Sequence, residues 1–441
     1  MRIRPRATAW LLLLAFVVAG CTGTGTPEPT ISPSQTGLSG APESPRPVPT
    51  GPGSAAAALA HLCVHQSPGP PSTVAPEGPT PPAIAEVERQ VEQIRGLEFT
   101  QRVAVHPATH AELVKGLQRS FDASYPAGLY ERRSRAWQAI GAIPPGTSIR
   151  AALRRFGSSQ VIGYYDTLTH ELVFIGSADP SGIERDTLAH ELTHAVDDQH
   201  FGLGRLDHLA NTCQDDRFDA ALALAEGDAT SVQLAYAQRY LTLQEQIRLG
   251  LQGGGSTAGI PPFILNLETW PYTAGLGFVH ALTARGGERA VNDAFTHLPV
   301  STEQIIHPDR YPNDVPQPVD VPDLAPALGG GWRDLDVMDV GEEWLSILLA
   351  LRLDGTTAAA AAAGWDGGIY RAWSDGDHVA VVLSSVWDTE ADATQFADAM
   401  QRWIAASPGQ PAAVQPVTGE HVRVLFASDG PTLSALERAA S

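Results

Sequence analysis

The segment 190–194, with the sequence HELTH, constrains this chain more than any other feature. Two histidines four residues apart point at one spot when the segment is helical. Imidazole nitrogens that converge in this way are typical ligands of Zn²⁺. Glu191, beside the first histidine, can reach a water molecule at that spot and act as a general base. We therefore expect a catalytic site with one Zn²⁺ ion, held in part by His190 and His194. The alternative is a surface helix that carries two unrelated histidines.

The residues around this segment favour a helix that follows a β-hairpin. Ser181 is a suitable N-cap, Glu184 completes a capping box with it, and apolar residues recur at helical spacing up to Val196. Upstream, 161–166 and 171–175 are apolar runs separated by a short turn, which predicts two antiparallel strands. A strand edge beside the metal would hold an extended peptide.

The N-terminus predicts export from the cytoplasm. Arginines among the first six residues precede the apolar stretch 7–19, which is shorter than the roughly 20 residues of a membrane-spanning helix. Residues 18–21, VAGC, resemble a bacterial lipobox, so we expect 1–20 to be a signal peptide and Cys21 to carry lipid. The protein would then be extracytoplasmic and attached to the bacterial cell membrane through its lipid anchor only. The alternative is an ordinary signal peptide or a single anchor helix.

The cysteine count fits this location. The chain has three cysteines. If Cys21 is lipidated, Cys63 and Cys213 remain as a pair in an oxidising compartment, where a disulfide is expected. The alternative is two free thiols.

The charge of the chain limits its partners. The formal net charge is −20, and Lys115 is the only lysine. Such a surface argues against nucleic acid and against anionic lipid as a binding partner. The expected partner is a peptide or protein substrate, and the sequence carries no indication of an oligomeric state.

Composition divides the chain after the signal peptide into four parts. Residues 21–82 are rich in Pro, Gly, Ser and Thr, which predicts a tether, with a possible short helix at 55–63. An α+β domain at 83–310 is followed by a proline-rich linker at 311–330 and by a small α+β domain at 331–441 without assigned chemistry. In the first domain we expect a strand at 99–105 and helices at 84–94, 108–121, 129–140, 215–250 and 271–285. In the second we expect helices at 342–353 and 390–406 and strands at 369–373, 378–387 and 422–426.

Two residues compete for the third ligand that a catalytic zinc site usually needs. Glu226 is an acidic residue in a mostly apolar stretch, where a carboxylate is costly unless it binds a metal or is paired. Gly227 beside it weakens a helix and indicates the close approach of another element. His200 has the spacing of a three-histidine zinc motif, but Asp197 occupies the position where that motif has Gly for a sharp turn. The residues favour Glu226 and leave His200 as the alternative.

The motif HELTHAV at 190–196 resembles the active-site helix of thermolysin-type zinc peptidases. Over about residues 160–310 the chain resembles bacterial HExxH lipoproteins of the gluzincin type. The resemblance rests on the motifs YYD…ELVF, HELTHAVDDQHF, AEGDA, PYTAGLGFV and STEQIIHP. It implies a zincin-like catalytic domain, in which a small β-sheet with an edge hairpin accompanies a mostly helical lobe. It also implies Glu226 as the third zinc ligand.

Further residues could support such a site. Asp186 and Asp198 stand four residues from the two histidines and could orient their rings, although we slightly favour solvated charges for both. A hydrogen-bond donor for an oxyanion could come from one of four residues: Tyr272, His280, His297 or His307. Two of these, Tyr272 and His307, fall in the stretches that resemble the family, and we assign the role to them.

Together these features predict a membrane-tethered, extracytoplasmic zinc endopeptidase in which Glu191 activates water. One alternative is a zinc hydrolase of non-peptide amides, such as cell-wall material. Another is a non-catalytic lipoprotein that binds zinc or protein. Glu191 argues against the latter, because a purely structural zinc site has no use for that carboxylate.

Overall fold

The computed structural model describes residues 12–15, 53–63, 75, 78–123, 128–251 and 255–441. The predicted lipidation site, Cys21, and most of the predicted signal peptide and tether lie outside these residues. No helix in the described ranges is long and apolar enough to cross a membrane.

The described residues form helices and strands, and those between residues 176 and 332 form helices and loops without a strand. In chain order, helices α1 to α9 are Ala55–Leu62, Pro82–Arg95, His110–Ala123, Leu129–Ile140, Ile149–Gln160, Gly182–Phe201, Gly204–Asn211, Asp215–Tyr240 and Leu243–Leu251. Helices α10 to α17 are Pro262–Gly286, Glu288–Thr296, Thr302–Ile306, Ala325–Leu328, Glu342–Ala350, Gly355–Ala362, Glu390–Ala405 and Gly430–Ala440. Strands β1 to β9 are Leu12–Ala15, Ala104–Ala108, Gly163–Asp166, Glu171–Ile175, Arg333–Asp339, Trp365–Ser374, Val379–Trp387, Ala412–Val414 and His421–Ala427.

The first sheet has the strand order β1-β3-β4-β2. Strands β3 and β4 form the predicted antiparallel hairpin, and β2 runs parallel to β4. Strand β1 falls within the predicted signal peptide, and its backbone pairs antiparallel with β3, so that Ala15 stands opposite Gly163. Helix α6 packs against β3 and β4 with its apolar residues Leu188, Leu192 and Val196 fully buried.

The second sheet is antiparallel, with the order β5-β6-β7-β9-β8, and it confirms mixed α and β structure in the C-terminal part. One hydrophobic cluster extends across both parts of the chain. In it, Trp344 of α14 packs edge-on against Trp137 and Phe263, with ring centroids 6.3 and 5.3 Å apart. The C-terminal part is therefore packed directly against the helices that precede it.

Three predicted elements are wrong in detail. The predicted helix 215–250 ends at Tyr240, because Thr242 and Glu245 form a capping box that begins α9. The predicted strand at 99–105 is replaced by β2, since side chains of Glu92 and Gln199 bind the backbone NH groups of 99–101.

Pro271 does not begin a helix, as the sequence indicated, but lies inside the 25-residue helix α10. Pro262 holds the first-turn position, which suits its fixed φ and missing NH group. Packing of α10 along α8 keeps the helix continuous past Pro271, although proline removes one hydrogen bond there.

The structure joins Cys63 and Cys213 in the predicted disulfide. The bond connects the end of α1 to the residues that precede α8. The bond closes a covalent loop of 150 residues that ties the short N-terminal helix to the chain just before the helix that carries Glu226.

Candidate metal centre

Helix α6 places the HELTH segment in the interior of the protein. The helix begins with the predicted capping box, in which Ser181 and Glu184 bind each other's backbone NH groups. The side chains of His190, Glu191 and His194 are fully buried. These three buried polar side chains need hydrogen-bond or metal partners, because burial of an unpaired polar group costs folding free energy.

The partner of both histidines is Glu226 of α8. Its Oε2 lies 3.1 Å from Nε2 of His190 and 3.3 Å from Nε2 of His194, and the two nitrogens are 3.1 Å apart. Ligands of a tetrahedral Zn²⁺ ion, at about 2.0–2.1 Å from the metal, stand about 3.3 Å from one another. The three atoms therefore have the spacing and the chemistry of three zinc ligands, and the group can hold a metal ion.

The protonation states suit metal binding. Burial favours the neutral acid, but the charge of His194 and hydrogen bonds from both imidazoles outweigh it and lower the pKa of Glu226 to about 2. Burial, opposed by Glu226, lowers the pKa of His194. Glu226 thus ionises readily and His194 loses its proton readily, and these are the forms in which a carboxylate and an imidazole bind a metal.

Glu226 is brought to this position by a close crossing of α8 and α10. A Cβ atom on Gly227 would lie 2.1 Å from the carbonyl carbon of Gly275, and one on Gly275 would lie 1.8 Å from the carbonyl oxygen of Ala223. The two helix backbones are thus in direct contact. The close approach that Gly227 indicated in the sequence is confirmed.

This crossing predicts opposite effects for two glycines of the same helix. Gly275→Ala should destabilise the protein by more than about 2 kcal/mol, because backbone atoms cannot move aside as a flexible side chain can. Gly277→Ala meets no atom within 4 Å and should stabilise α10 by about 0.5–1 kcal/mol. Urea unfolding of both variants measures the difference. Equal stabilities would show that α8 and α10 do not touch here.

Gln233 connects His190 to Asp186. Its Oε1 accepts a hydrogen bond from Nδ1 of His190 at 3.2 Å, and its Nε2 donates to Oδ2 of Asp186 at 2.8 Å. A proton held on Nδ1 leaves Nε2 of the ring free to face the metal. Gln233 follows Glu226 by seven residues, two turns along α8, and the sequence analysis did not identify it. The helical spacing from Glu226 was a signal that could have found it.

Both aspartates that we slightly favoured as solvated charges are buried, so that interpretation was wrong. Asp186 is 3 % exposed, and burial raises its pKa to about 7. Asp198 accepts hydrogen bonds from the Tyr165 hydroxyl and from Nδ1 of His170, each at 2.8 Å. Asp186 supports His190 through Gln233, whereas Asp198 ties the helix to the hairpin.

Among the four predicted oxyanion donors, Tyr272 is the one for which the structure shows a contact with one of the two histidines. Its ring stacks on His190 with centroids 6.1 Å apart, and its buried hydroxyl donates to Glu226. His307 instead lies against Glu342, with Nε2 3.0 Å from Oε1. His280 is exposed on α10, and His297 contacts the backbone of Asp293.

His200, the alternative third ligand, is directed away from the histidine pair. Helix α6 continues to Phe201 instead of turning, and Nε2 of His200 lies 2.8 Å from the backbone oxygen of Glu98. Asp197, which stands where the three-histidine motif has Gly, forms a buried ion pair with Arg95 at 3.1 Å. The structure therefore places Glu226, and not His200, with His190 and His194.

Arg95 is a buried residue that the sequence analysis did not notice. Its Nε also lies 2.6 Å from Asp228, two residues after Glu226, and Asp197 follows His194 by three residues. One guanidinium therefore clamps the two helices that carry the candidate ligands. Removal of the cation would leave these two buried acidic groups without their charge partner, which costs about 3–5 kcal/mol.

Strand β3 passes beside Glu191. A Cβ atom on Gly163 would lie 3.2 Å from Oε1 of Glu191, so the glycine backbone rests against this carboxylate. Glu191 does not belong to the group of three converging atoms. Glu191 therefore lies next to β3 and outside the group of candidate ligands.

Comparison with known proteins covers the C-terminal part only. Residues 333–437 match the family described as a domain of unknown function (DUF8575). No curated protein and no solved structure matches the chain. The matched segment extends from β5 into α17, whereas the candidate metal centre is built from residues that precede it.

Proposed function

We propose that this protein is an extracytoplasmic, lipid-anchored zinc endopeptidase with a zincin-like catalytic domain. The observation that carries the proposal is the convergence of His190, His194 and Glu226 on one point, with Glu191 on the same helix but outside the group. A structural zinc site needs a fourth protein ligand and has no use for an additional carboxylate, whereas a catalytic one needs three ligands and a base.

The edge of β3 supports a peptide as the substrate. The extended backbone of β1 pairs antiparallel with β3 and reaches the position of Gly163, next to Glu191. Cleavage of the signal peptide would remove β1 and leave this edge open. An extended substrate could then add to the sheet in the same way, with its backbone beside Glu191.

The chemistry divides among a few side chains. Zn²⁺ bound by the three ligands would supply Lewis-acid polarisation of a carbonyl and acidify water. Glu191 would accept the proton of the attacking water and pass it to the leaving amine. Tyr272, whose hydroxyl is hydrogen-bonded to Glu226, would donate a hydrogen bond to the oxyanion.

Digestion of casein by the purified mature protein tests this proposal. We expect new peptide N-termini in the mass spectrum of the digest, and none after treatment with a zinc chelator. Intact casein in both samples would reject the peptidase, and hydrolysis that survives chelation would reject the metal mechanism.

Replacement of Cys21 by serine tests the anchor. If Cys21 carries the lipid, Cys21→Ser should move the protein from the membrane fraction to the culture medium, because the described helices contain no membrane span. Immunoblots of both fractions measure the shift. Unchanged membrane retention would contradict the lipoprotein assignment and leave the peptidase proposal unaffected.

A further inference from the structure

A cavity of about 480 Å³ lies between α1, the Pro-rich stretch 311–330 and strand β6. Its volume is in the range of about 300–1,000 Å³ that is typical of small-molecule sites. Val315 lines the cavity and is 51 % exposed, so the cavity opens at the surface of the protein there. The described residues that line it include no member of the candidate metal centre. The cavity is therefore a second candidate site, separate from the first.

Most of the wall of this cavity is apolar. Its main apolar side chains are those of Leu59, Pro316, Val319, Trp365 and Ile369. They come from the three elements that surround the cavity, and they offer a surface on which methylene groups can pack. The wall by itself favours a ligand with an apolar body.

Two carboxylates interrupt the apolar wall. Asp216, at the start of α8, is 6 % exposed, and its Oδ1 accepts hydrogen bonds from the NH and the hydroxyl of Thr302 at 3.1 and 2.6 Å. Asp339, at the end of β5, accepts a hydrogen bond from the NH of Asp215 at 2.8 Å. Among the described residues, no cation forms an ion pair with either carboxylate.

The arginine in the lining does not neutralise these carboxylates. Arg217 is exposed, and its guanidinium lies 3.3 Å from Oε1 of Gln214. Burial, and then the charges of Asp215 and Asp216, raise the pKa of Asp339. An ionised carboxylate in such surroundings is costly without a charge partner, so a ligand that carries a cation would be favoured.

Trp365 adds an unused hydrogen-bond donor to the cavity. Its side chain is 2 % exposed, and its Nε1 has no hydrogen-bond partner among the described residues. Burial of a donor without an acceptor is unfavourable. An oxygen atom of a ligand could accept this hydrogen bond.

We propose that this cavity binds an organic cation, an ammonium or guanidinium group on an apolar stem, with Asp216 and Asp339 as its charge partners. The stem packs on the apolar wall, and the cationic end donates charge-assisted hydrogen bonds to the carboxylates. A free amine and a lysine or arginine residue of a peptide share this chemistry. The peptide also has backbone oxygens that can accept from Trp365. The net charge of −20 favours the approach of either cation.

Two small molecules of equal length test the role of the charge. Hexylammonium and 1-hexanol are titrated separately into the full mature protein at pH 8, where an alkylamine is still protonated. We expect hexylammonium to bind at least about tenfold more tightly, as one charge-assisted hydrogen bond would provide. Isothermal titration calorimetry measures both affinities.

Two variants locate the binding site. Asp339→Asn keeps an oxygen for the NH of Asp215 and loses the charge, so the affinity for hexylammonium should fall to within about threefold of that for hexanol. Val315→Trp fills the mouth of the cavity from an exposed position and should remove binding of both molecules. Asp398→Asn removes an exposed charge on α16, outside the cavity, and should bind as the wild type does.

A third molecule distinguishes the two sources of the cation. N-acetyl-lysine amide has the charge of hexylammonium together with two amide oxygens. If it binds at least as tightly as hexylammonium, the ligand is a basic residue of a peptide. Binding of hexylammonium without binding of the lysine derivative identifies a free amine.

Three results would overturn the proposal. Equal affinities of the wild type for hexylammonium and hexanol would show that the carboxylates do not recognise a charge. Binding that persists in both Asp339→Asn and Val315→Trp would place the site elsewhere, and binding of none of the molecules would reject it. The wild type and Val315→Trp decide even if Asp339→Asn does not fold. Peptide hydrolysis is not measured, so these results do not depend on the proposed function.

Discussion

Replacement of Glu191 by glutamine should lower kcat for peptide hydrolysis by at least about a hundredfold while zinc stays bound. The amide has nearly the shape of the carboxylate but cannot accept a proton at neutral pH. Glu191 is outside the group formed by the two histidines and Glu226, so its loss removes no ligand. Peptide hydrolysis rates and zinc content of the purified variant, measured together, check both halves of this prediction.

A matched control is available for this experiment. Glu131 on α4 is an exposed glutamate, with 64 % of its side chain accessible, and Glu131→Gln should leave both activity and zinc content unchanged. If Glu191→Gln loses zinc together with activity, Glu191 is a ligand or a structural group. Our assignment of a general base would then be wrong.

Replacement of Glu226 by alanine should abolish the metal centre. It removes one of three ligands, and loss of even a supporting residue around a metal costs 10–100-fold in affinity, so we expect zinc affinity to fall by more than about a hundredfold. Activity should fall with it. Competition with a zinc chelator of known affinity measures the change.

His200→Ala is the matched control for Glu226→Ala. His200 binds the backbone of Glu98 outside the centre, so this variant should retain zinc and activity. If His200→Ala loses zinc and Glu226→Ala retains it, the site uses three histidines and α8 has no role in it. Thermal melting of both variants without zinc separates metal loss from unfolding.

Much of the candidate site could be predicted from local sequence, because its parts follow helical spacing. His190, Glu191 and His194 lie within one turn and a half of α6, and Glu226 was conspicuous as an acid among alanines. His307 was connected to the histidines only by its sequence motif, and the described contacts place it against Glu342. Gln233 lies two helical turns after Glu226 on α8, so helical spacing also connects it to the site.

The parts of the site that could not be predicted depend on contacts between distant elements. Arg95 of α2 contacts Asp197 and Asp228 because α2 packs against α6 and α8. The sequence around Arg95 contains no pattern that predicts these contacts. Asp186 is likewise buried and accepts a hydrogen bond from Gln233 of another helix. On α6 alone, an aspartate at that position is indistinguishable from a solvated charge.

The fold shows the same division. The hairpin, the capped helix α6 and most C-terminal elements follow from periodicity and turn residues, which are local. The continuity of α10 through Pro271 could not be predicted from local sequence, because packing against α8 overrides a local signal for a helix start. The composition of the Pro-rich stretch 311–330 predicts a linker, yet one hydrophobic core includes residues on both sides of it.

Titration of zinc into the metal-free mature protein tests the central claim most directly. Hydrolysis of a peptide should be absent at the start, rise in proportion to the zinc added, and reach a plateau at one equivalent per chain. Glu191→Gln should bind the same single equivalent without hydrolysis. Hydrolysis by the metal-free protein, or one bound zinc ion without hydrolysis of any peptide by the wild type, would contradict the account.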